Sequence, residues 1–326
     1  MSDASELSRT QPDPAPWQDV EVSYARLPRA LPDYRWWRPL LALGLAVVFI
    51  VVATVIWLLA LFAIAFTTGI LDFARFDTVI LEFTTIDASS PFNLVVMIGS
   101  VAIWIPCILL ATRLSGMRPV AHLSSVSLKL RWRWLLSCLV PASGVMAFTA
   151  VLMLVVGPLV TDEPLHPITI DPGLLALNVG IILLLVPLQS AAEEYAFRGL
   201  LFQAIGSWIR IAWVAMLVTT VAFASLHLYD IWGLVDVAVF GVVAAWLAWR
   251  TGGLEASIVM HTINNVVLFV ILATGVTGGT SVEAAGSGPV AILLTLITMI
   301  AYAFWIDHRA KARGIARSVL MRVPVS

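Results

Sequence analysis

Long apolar segments follow one another along most of the chain, separated by short polar or charged breaks. A helix rises about 1.5 Å per residue, so about 20 apolar residues cross a hydrocarbon core about 30 Å thick. We therefore predict an all-α fold, a polytopic membrane helical bundle of about eight transmembrane helices. The predicted spans lie near residues 39–67, 92–112, 134–160, 173–206, 211–229, 234–249, 254–274 and 289–306.

The segments outside the spans are polar. Residues 1–38 contain prolines and charges without an apolar stretch, which predicts a flexible cytoplasmic tail and argues against a signal peptide. Residues 39–306 are expected to form one transmembrane bundle, and residues 307–326 a basic cytoplasmic tail. The predicted organisation is thus one membrane domain with a tail at each end.

The basic residues predict how the bundle is oriented. With eight spans both termini lie on one side, and all but Arg75 of the 19 Lys and Arg residues fall on that side. Because cytoplasmic loops are enriched in Lys and Arg, we expect both termini to be cytoplasmic. No organelle-targeting segment is evident, so the expected location is the cell (plasma) membrane, crossed several times.

The composition narrows the classes of partner. Apolar residues make up 60% of the chain, charged residues 12%, and the mean hydropathy is +0.96, which excludes an ordinary soluble domain. The basic residues follow the predicted topology and form no single patch, so no nucleic-acid partner is expected. Cys107 and Cys138 lie in apolar segments without metal or redox spacing, and we interpret both as packing residues. The lipid bilayer is the expected surrounding partner.

Two adjacent glutamates lie inside the fourth predicted span, where an ionisable group costs from about 3 kcal/mol upward. Glu194 and Arg198 are four residues apart on one helical face, in the favourable order for an ion pair. Glu193 points elsewhere without an obvious cationic partner, as expected for a general base that takes a proton from water. A structural polar network, or a proton relay in a transporter, would produce the same residues.

Two further motifs place histidines inside neighbouring predicted spans. His261 and Asn265 share one helical face, as donors to an oxyanion would, and Phe223 and His227 repeat that spacing. A lone histidine in a span is more often an interhelical hydrogen-bonding group. Counted along the helices, Glu193, His227 and His261 lie at overlapping depths, which predicts one shared cavity. Asp236, near the end of its span, is assigned a structural role.

Zinc is the alternative that these residue types leave open, because Glu and His are common zinc ligands. The chain contains no His-Glu-x-x-His motif, and its two candidate histidines are 34 residues apart, on separate predicted helices. We therefore predict that the site uses no metal and no other cofactor.

Together the three motifs resemble the signature of the CAAX-protease and bacteriocin-processing (CPBP, or Abi) family of intramembrane proteases. They read Glu193-Glu194-x-x-x-Arg198, Phe223-x-x-x-His227 and His261-x-x-x-Asn265, within a matching core at about 173–275. The resemblance implies an intramembrane endopeptidase in which Glu193, assisted by His227, activates a water while His261 and Asn265 stabilise the oxyanion. It also implies supporting, mainly structural roles for Glu194 and Arg198, with Phe223 in the second motif.

The resemblance does not name a substrate beyond a peptide or membrane protein. The main alternative is a non-proteolytic protein, for bacteriocin self-immunity or as a membrane scaffold, that uses the same cavity for binding. A proton-coupled transporter is a third reading, against which the absence of an evident inverted repeat counts.

Overall fold

The computed structural model describes residues 17–70, 87–161, 164–281 and 288–324. Helices dominate this part of the chain, and two short strands lie at its ends. In chain order, the elements are β1 (Trp17–Ser23), α1 (Arg38–Thr67), α2 (Pro91–Ala102), α3 (Trp104–Leu114), α4 (Trp132–Thr161), α5 (Pro172–Glu193), a π-helix (Glu194–Leu201), α6 (Phe202–Trp208), α7 (Ala212–Ala224), α8 (Ile231–Thr251), α9 (Glu255–Thr274), α10 (Pro289–Ala312) and β2 (Ser318–Pro324). Short 3₁₀ segments occupy Tyr24–Ala30 and Val120–Leu123.

Within these described ranges, seven helical segments are long and apolar enough to cross a membrane, which confirms the predicted all-α membrane bundle. The segments Pro91–Leu114 and Pro172–Trp208 each combine consecutive helices into one span. The predicted span at 211–229 differs, because its helix α7 has only 13 residues. At about 1.5 Å per residue it is about 20 Å long, shorter than the hydrocarbon core. Its chain leaves the helix at Ala224, before His227.

The flexible tail predicted for 1–38 is wrong for the residues that the structure describes there, since β1 pairs antiparallel with β2 along its whole length. Side chains alternate between the two faces of a strand. Val20 and Val22 of β1, with Val319 and Met321 of β2, therefore pack together against one apolar cluster of the bundle. Parts of the two predicted tails, β1 and β2, thus form one ordered ribbon at one end of the bundle.

The Tyr24–Ala30 segment anchors the ribbon to the bundle. Tyr24 and Leu27 are fully buried, and the Tyr24 hydroxyl donates to the Leu123 carbonyl oxygen. A glycine on the opposing helix, Gly206, allows close approach, because a Cβ there would overlap the carbonyl oxygen of Ala25. Sequence reasoning missed this packing, since a seven-residue strand has no recognisable partner until the chain folds.

The ribbon end of the bundle also holds an ion pair between the starts of two helices. Arg131 is held by Glu255 in a two-pronged pair, with N–O distances of 2.8 and 2.7 Å, and it donates to the Thr251 carbonyl oxygen. This pair holds the start of α4 against the start of α9. Which side of a membrane this end faces stays a prediction from the distribution of charge.

Candidate active site

A cavity of about 240 Å³ lies inside the bundle, enclosed by α2, α5, the end of α7 and its following loop, and α8 to α10. The apolar lining residues include Met97, Ile98 and Phe269. The polar lining residues come mostly from the three sequence motifs. They include Gln189, Glu193, His227, His261, Asn264 and Asn265. The structure therefore brings the four predicted catalytic residues to one cavity, as the depths of Glu193, His227 and His261 along their helices predicted.

Glu193 is the last residue of α5, and its carboxylate lies at the cavity surface. One oxygen, Oε2, accepts a hydrogen bond from Gln189 Nε2 at 2.8 Å and lies 3.2 Å from His261 Nε2. The other oxygen, Oε1, makes no hydrogen bond to the described residues. One carboxylate oxygen is thus held in place while the other is available to a molecule in the cavity.

Glu194 begins a π-helix, a rare local widening that is frequent at functional sites. Its Oε1 lies 2.9 Å from Arg198 Nη1, and both side chains are completely buried. The guanidinium also donates to the Gly241 carbonyl oxygen and lies 4.3 Å above the Phe223 ring. The predicted ion pair between Glu194 and Arg198 is present, and neither residue lines the cavity.

His261 links the two glutamates. Its Nδ1 lies 3.0 Å from Glu194 Oε1, and its Nε2 faces Glu193. Because both ring nitrogens face carboxylate oxygens, which can only accept, this arrangement favours the doubly protonated imidazolium. The ring is fixed by Phe240, at a centroid distance of 4.8 Å, and by Phe223 at 6.0 Å.

His227 lies beyond the end of α7, yet its ring is still directed by the helix. Its Nδ1 is 2.9 Å from the Phe223 carbonyl oxygen, so Nδ1 carries the hydrogen and donates. In the neutral ring the lone pair is then on Nε2. His227 makes no contact with Glu193 among the described residues, and the histidine beside that carboxylate is His261. The predicted assistance of Glu193 by His227 would therefore act through a bound molecule.

Asn265 belongs to a chain of amides along the cavity wall. Its Nδ2 donates to Gln189 Oε1 at 3.2 Å, and its Oδ1 accepts from Asn264 Nδ2 at 3.1 Å. Gln189 was missed by sequence reasoning, although it lies four residues before Glu193 and therefore on the same helical face. Through Gln189, the position of Asn265 is tied to that of the Glu193 carboxylate.

Asp236 of α8 was assigned a structural role at the edge of the membrane, but the structure places it in the wall of the same cavity. Its partner is the hydroxyl of Thr295 on α10. Nothing in the local sequence indicated this position, because the facing residue comes from a helix almost 60 positions later in the chain.

No group of three or more His, Cys, Asp or Glu side chains is arranged to hold a metal ion in the described ranges 17–70, 87–161, 164–281 and 288–324. Glu193 and His261 contact each other directly, and His227 stands apart from both.

Comparison with known families finds a match over residues 175–267, to the model described as Type II CAAX prenyl endopeptidase Rce1-like. This range contains all three motifs, from Glu193 to Asn265, and agrees with the core predicted at about 173–275. The resemblance stated from the motifs is thereby confirmed for this region.

A curated relative is the uncharacterized protein YyaK of Bacillus subtilis (strain 168), which is 27% identical over 189 residues. The alignment covers 54% of this chain and 60% of the Bacillus protein, so less than two thirds of that relative is spanned. No solved structure matches the chain.

Proposed function

We propose that this protein is an intramembrane endopeptidase that cleaves a peptide bond with a water activated by Glu193. The observation that carries the proposal is the unequal environment of the two Glu193 oxygens. Oε2 is held by Gln189 and His261, whereas Oε1 accepts no hydrogen bond from the described residues, and Glu193 lines the cavity with the other motif residues. A fixed carboxylate with one free oxygen is suited to take a proton from water.

In the proposed first step, a water lies between Glu193 Oε1 and the carbonyl carbon of the substrate. As its oxygen bonds to that carbon, one proton passes to Glu193. The second hydrogen of the water points to Nε2 of His227, whose lone pair is directed by the Nδ1 hydrogen bond to Phe223. This is the sense in which His227 assists Glu193 without touching it.

The carbonyl oxygen becomes negatively charged when the water adds. The proposed stabilising donors are Nε2–H of the His261 imidazolium, which Glu193 Oε2 releases when that carboxylate takes the proton, and the amide N–H of Asn265 that does not bind Gln189. The C–N bond then breaks as Glu193 returns its proton to the leaving amine. Glu193 ends the cycle as a carboxylate, and one water has been consumed for one peptide bond.

Glu194, Arg198 and Phe223 act by positioning in this proposal. The buried ion pair fixes Glu194, which holds the Nδ1 side of His261, and the Phe223 ring lies between Arg198 and the two histidine rings. Binding of a peptide without cleavage, as in an immunity or scaffold protein, is the second candidate. It is favoured by the same cavity, whose lining is both apolar and polar, and needs no activated water.

The test compares membrane-proteome termini in cells that express wild type, Glu193→Gln or His227→Ala at matched protein levels. Asp171→Asn is the control, because it neutralises an exposed helix-capping carboxylate while asparagine can still cap. Loss of the general base should lower cleavage by at least about 100-fold. The proposal expects new termini with wild type and the control alone.

Identical termini in all four strains would contradict cleavage. If Glu193→Gln then still binds and protects the same protein as wild type, the cavity serves binding, and the second candidate is correct. Purified variants should first be compared in thermal unfolding, so that a lost activity is not a lost fold.

A further inference from the structure

The carboxylates around the cavity differ in how their charge is balanced. Glu194 is paired with Arg198, and Glu193 faces His261. Asp236 has only a neutral partner, the hydroxyl of Thr295, and its Oδ1 is buried without a hydrogen bond. In the part of the chain that the structure describes, no Lys, Arg or His nitrogen lies within 4.0 Å of it.

A carboxylate with one unsatisfied oxygen inside the bundle lowers the stability of the fold unless a ligand binds to it. A carboxylate inside a membrane span costs from about 3 kcal/mol upward, and buried carboxylates are normally paired or hydrogen-bonded at both oxygens. Structural interpretation alone does not account for Asp236, because Thr295 leaves one oxygen unsatisfied. The missing partner is a cationic donor, and the cavity is the space from which it can come.

The position of Asp236 on α8 indicates how far it lies from the bond that would be cleaved. The ring of Phe240 contacts His261, and Asp236 lies one helical turn before Phe240 on the same face of α8. One turn is about 5.4 Å along the axis, and side chains lean further toward the helix start. The Phe240 and His261 ring centroids are a further 4.8 Å apart, and a lysine or arginine side chain adds its own reach. An extended peptide advances about 3.3 Å per residue, so the combined distance corresponds to roughly two to four substrate residues.

We propose that Asp236, oriented by Thr295, is a substrate-recognition residue that binds a lysine or arginine side chain roughly two to four residues from the scissile bond. This inference rests on the proposed function and deepens it by naming the substrate class. The peptide is apolar where it faces Met97, Ile98 and Phe269, and carries one basic residue that reaches Asp236.

The test uses the full chain in lipid nanodiscs with a randomised library of 12-residue peptides, and mass spectrometry identifies the products. Wild type, Asp236→Asn and Asp171→Asn are compared. Asparagine keeps the size of Asp236 and its bond to Thr295 while removing the charge. Wild type and the Asp171 control should enrich Lys or Arg about tenfold at one position within roughly two to four residues of the cut, and Asp236→Asn should lose that enrichment.

A binding arm separates this inference from the proposed function. Peptides retained by Glu193→Gln are compared with those retained by Glu193→Gln/Asp236→Asn. Basic enrichment that depends on Asp236 supports the recognition role, even if wild type cleaves nothing and the proposed function fails.

Two results would overturn the inference. One is cleavage by wild type without a basic preference, or with a preference that Asp236→Asn keeps, which would leave the peptidase proposal standing. The other is the absence of both cleavage and basic enrichment among bound peptides, which would remove the two proposals together. Kinetics on one selected peptide provide a further check, since loss of a recognition contact should raise KM more than it lowers kcat.

Discussion

Arg198 is the largest fully buried side chain in the described part of the protein, and its replacement tests whether the ion pair beneath the site is structural. In Arg198→Met, the Glu194 carboxylate would remain in the interior with His261 as its only charged neighbour. Breaking one partner of a buried pair typically costs about 3–5 kcal/mol. We expect the free energy of unfolding of Arg198→Met to fall by an amount in that range. The variant also loses the contact between the guanidinium and the Phe223 ring.

The double variant Glu194→Gln/Arg198→Met removes both charges, and a glutamine oxygen can still accept from His261. Because no unpaired charge remains, it should be more stable than either single variant, with a coupling energy of about 3 kcal/mol. Arg322→Met is the matched control. The Arg322 side chain is 78% exposed and lies 3.6 Å from Asp19, so its loss should cost about 0.5 kcal/mol or less.

The assay is reversible unfolding in mixed micelles, followed by tryptophan fluorescence and analysed as a double-mutant cycle. A folded Arg198→Met variant within about 1 kcal/mol of wild type would refute the reasoning that the buried charge of Glu194 needs Arg198. Additive losses in the double variant would refute it as well, because they would show two independent packing defects.

Two more predictions concern the ribbon end of the bundle. Gly206→Ala should lose about 1–3 kcal/mol of unfolding free energy and speed tryptic cleavage near the N-terminus, because its Cβ would displace the Ala25 carbonyl. The control Gly180→Ala has open space around its Cβ and should leave both measurements unchanged. Equal effects of the two substitutions would contradict the packing argument. Burial lowers the pKa of His122 to about 4, below its unfolded value of about 6.5. The stability that this neutral histidine contributes is therefore complete above about pH 6.5 and decreases by about 3 kcal/mol as the pH falls to about 4. Unfolding at several pH values measures this slope, and an unchanged slope in His122→Gln would show that another group is responsible.

Much of the architecture can be read from the chain because apolar runs and charge breaks are local properties. Runs of sufficient length predicted the spans, and seven of them are present as helices long enough to cross a membrane. The pairing of Glu194 with Arg198 was equally local, since a spacing of four residues places both on one helical face. Helix α7 was misjudged because apolar composition continues past Ala224, where the backbone stops being helical.

The site is predictable in its residues but not in its contacts. The motifs located Glu193, His227, His261 and Asn265, and the helical rise indicated a common depth. The packing of α5, α7 and α9 decides which histidine contacts Glu193. In the structure it is His261. Gln189 had a usable signal in its spacing from Glu193, whereas Asp236 had none, because its relation to the cavity depends on α10.

What the sequence determined by itself was therefore the membrane class, most spans, the motif residues and the ion pair between Glu194 and Arg198, all of which follow from local properties of the chain. Only the tertiary structure decided the ribbon between the two chain ends, the contact of His261 with both glutamates and the place of Asp236 in the cavity. Each of these joins segments far apart in the chain, and such contacts depend on packing and the pairing of buried polar groups, which no local pattern records.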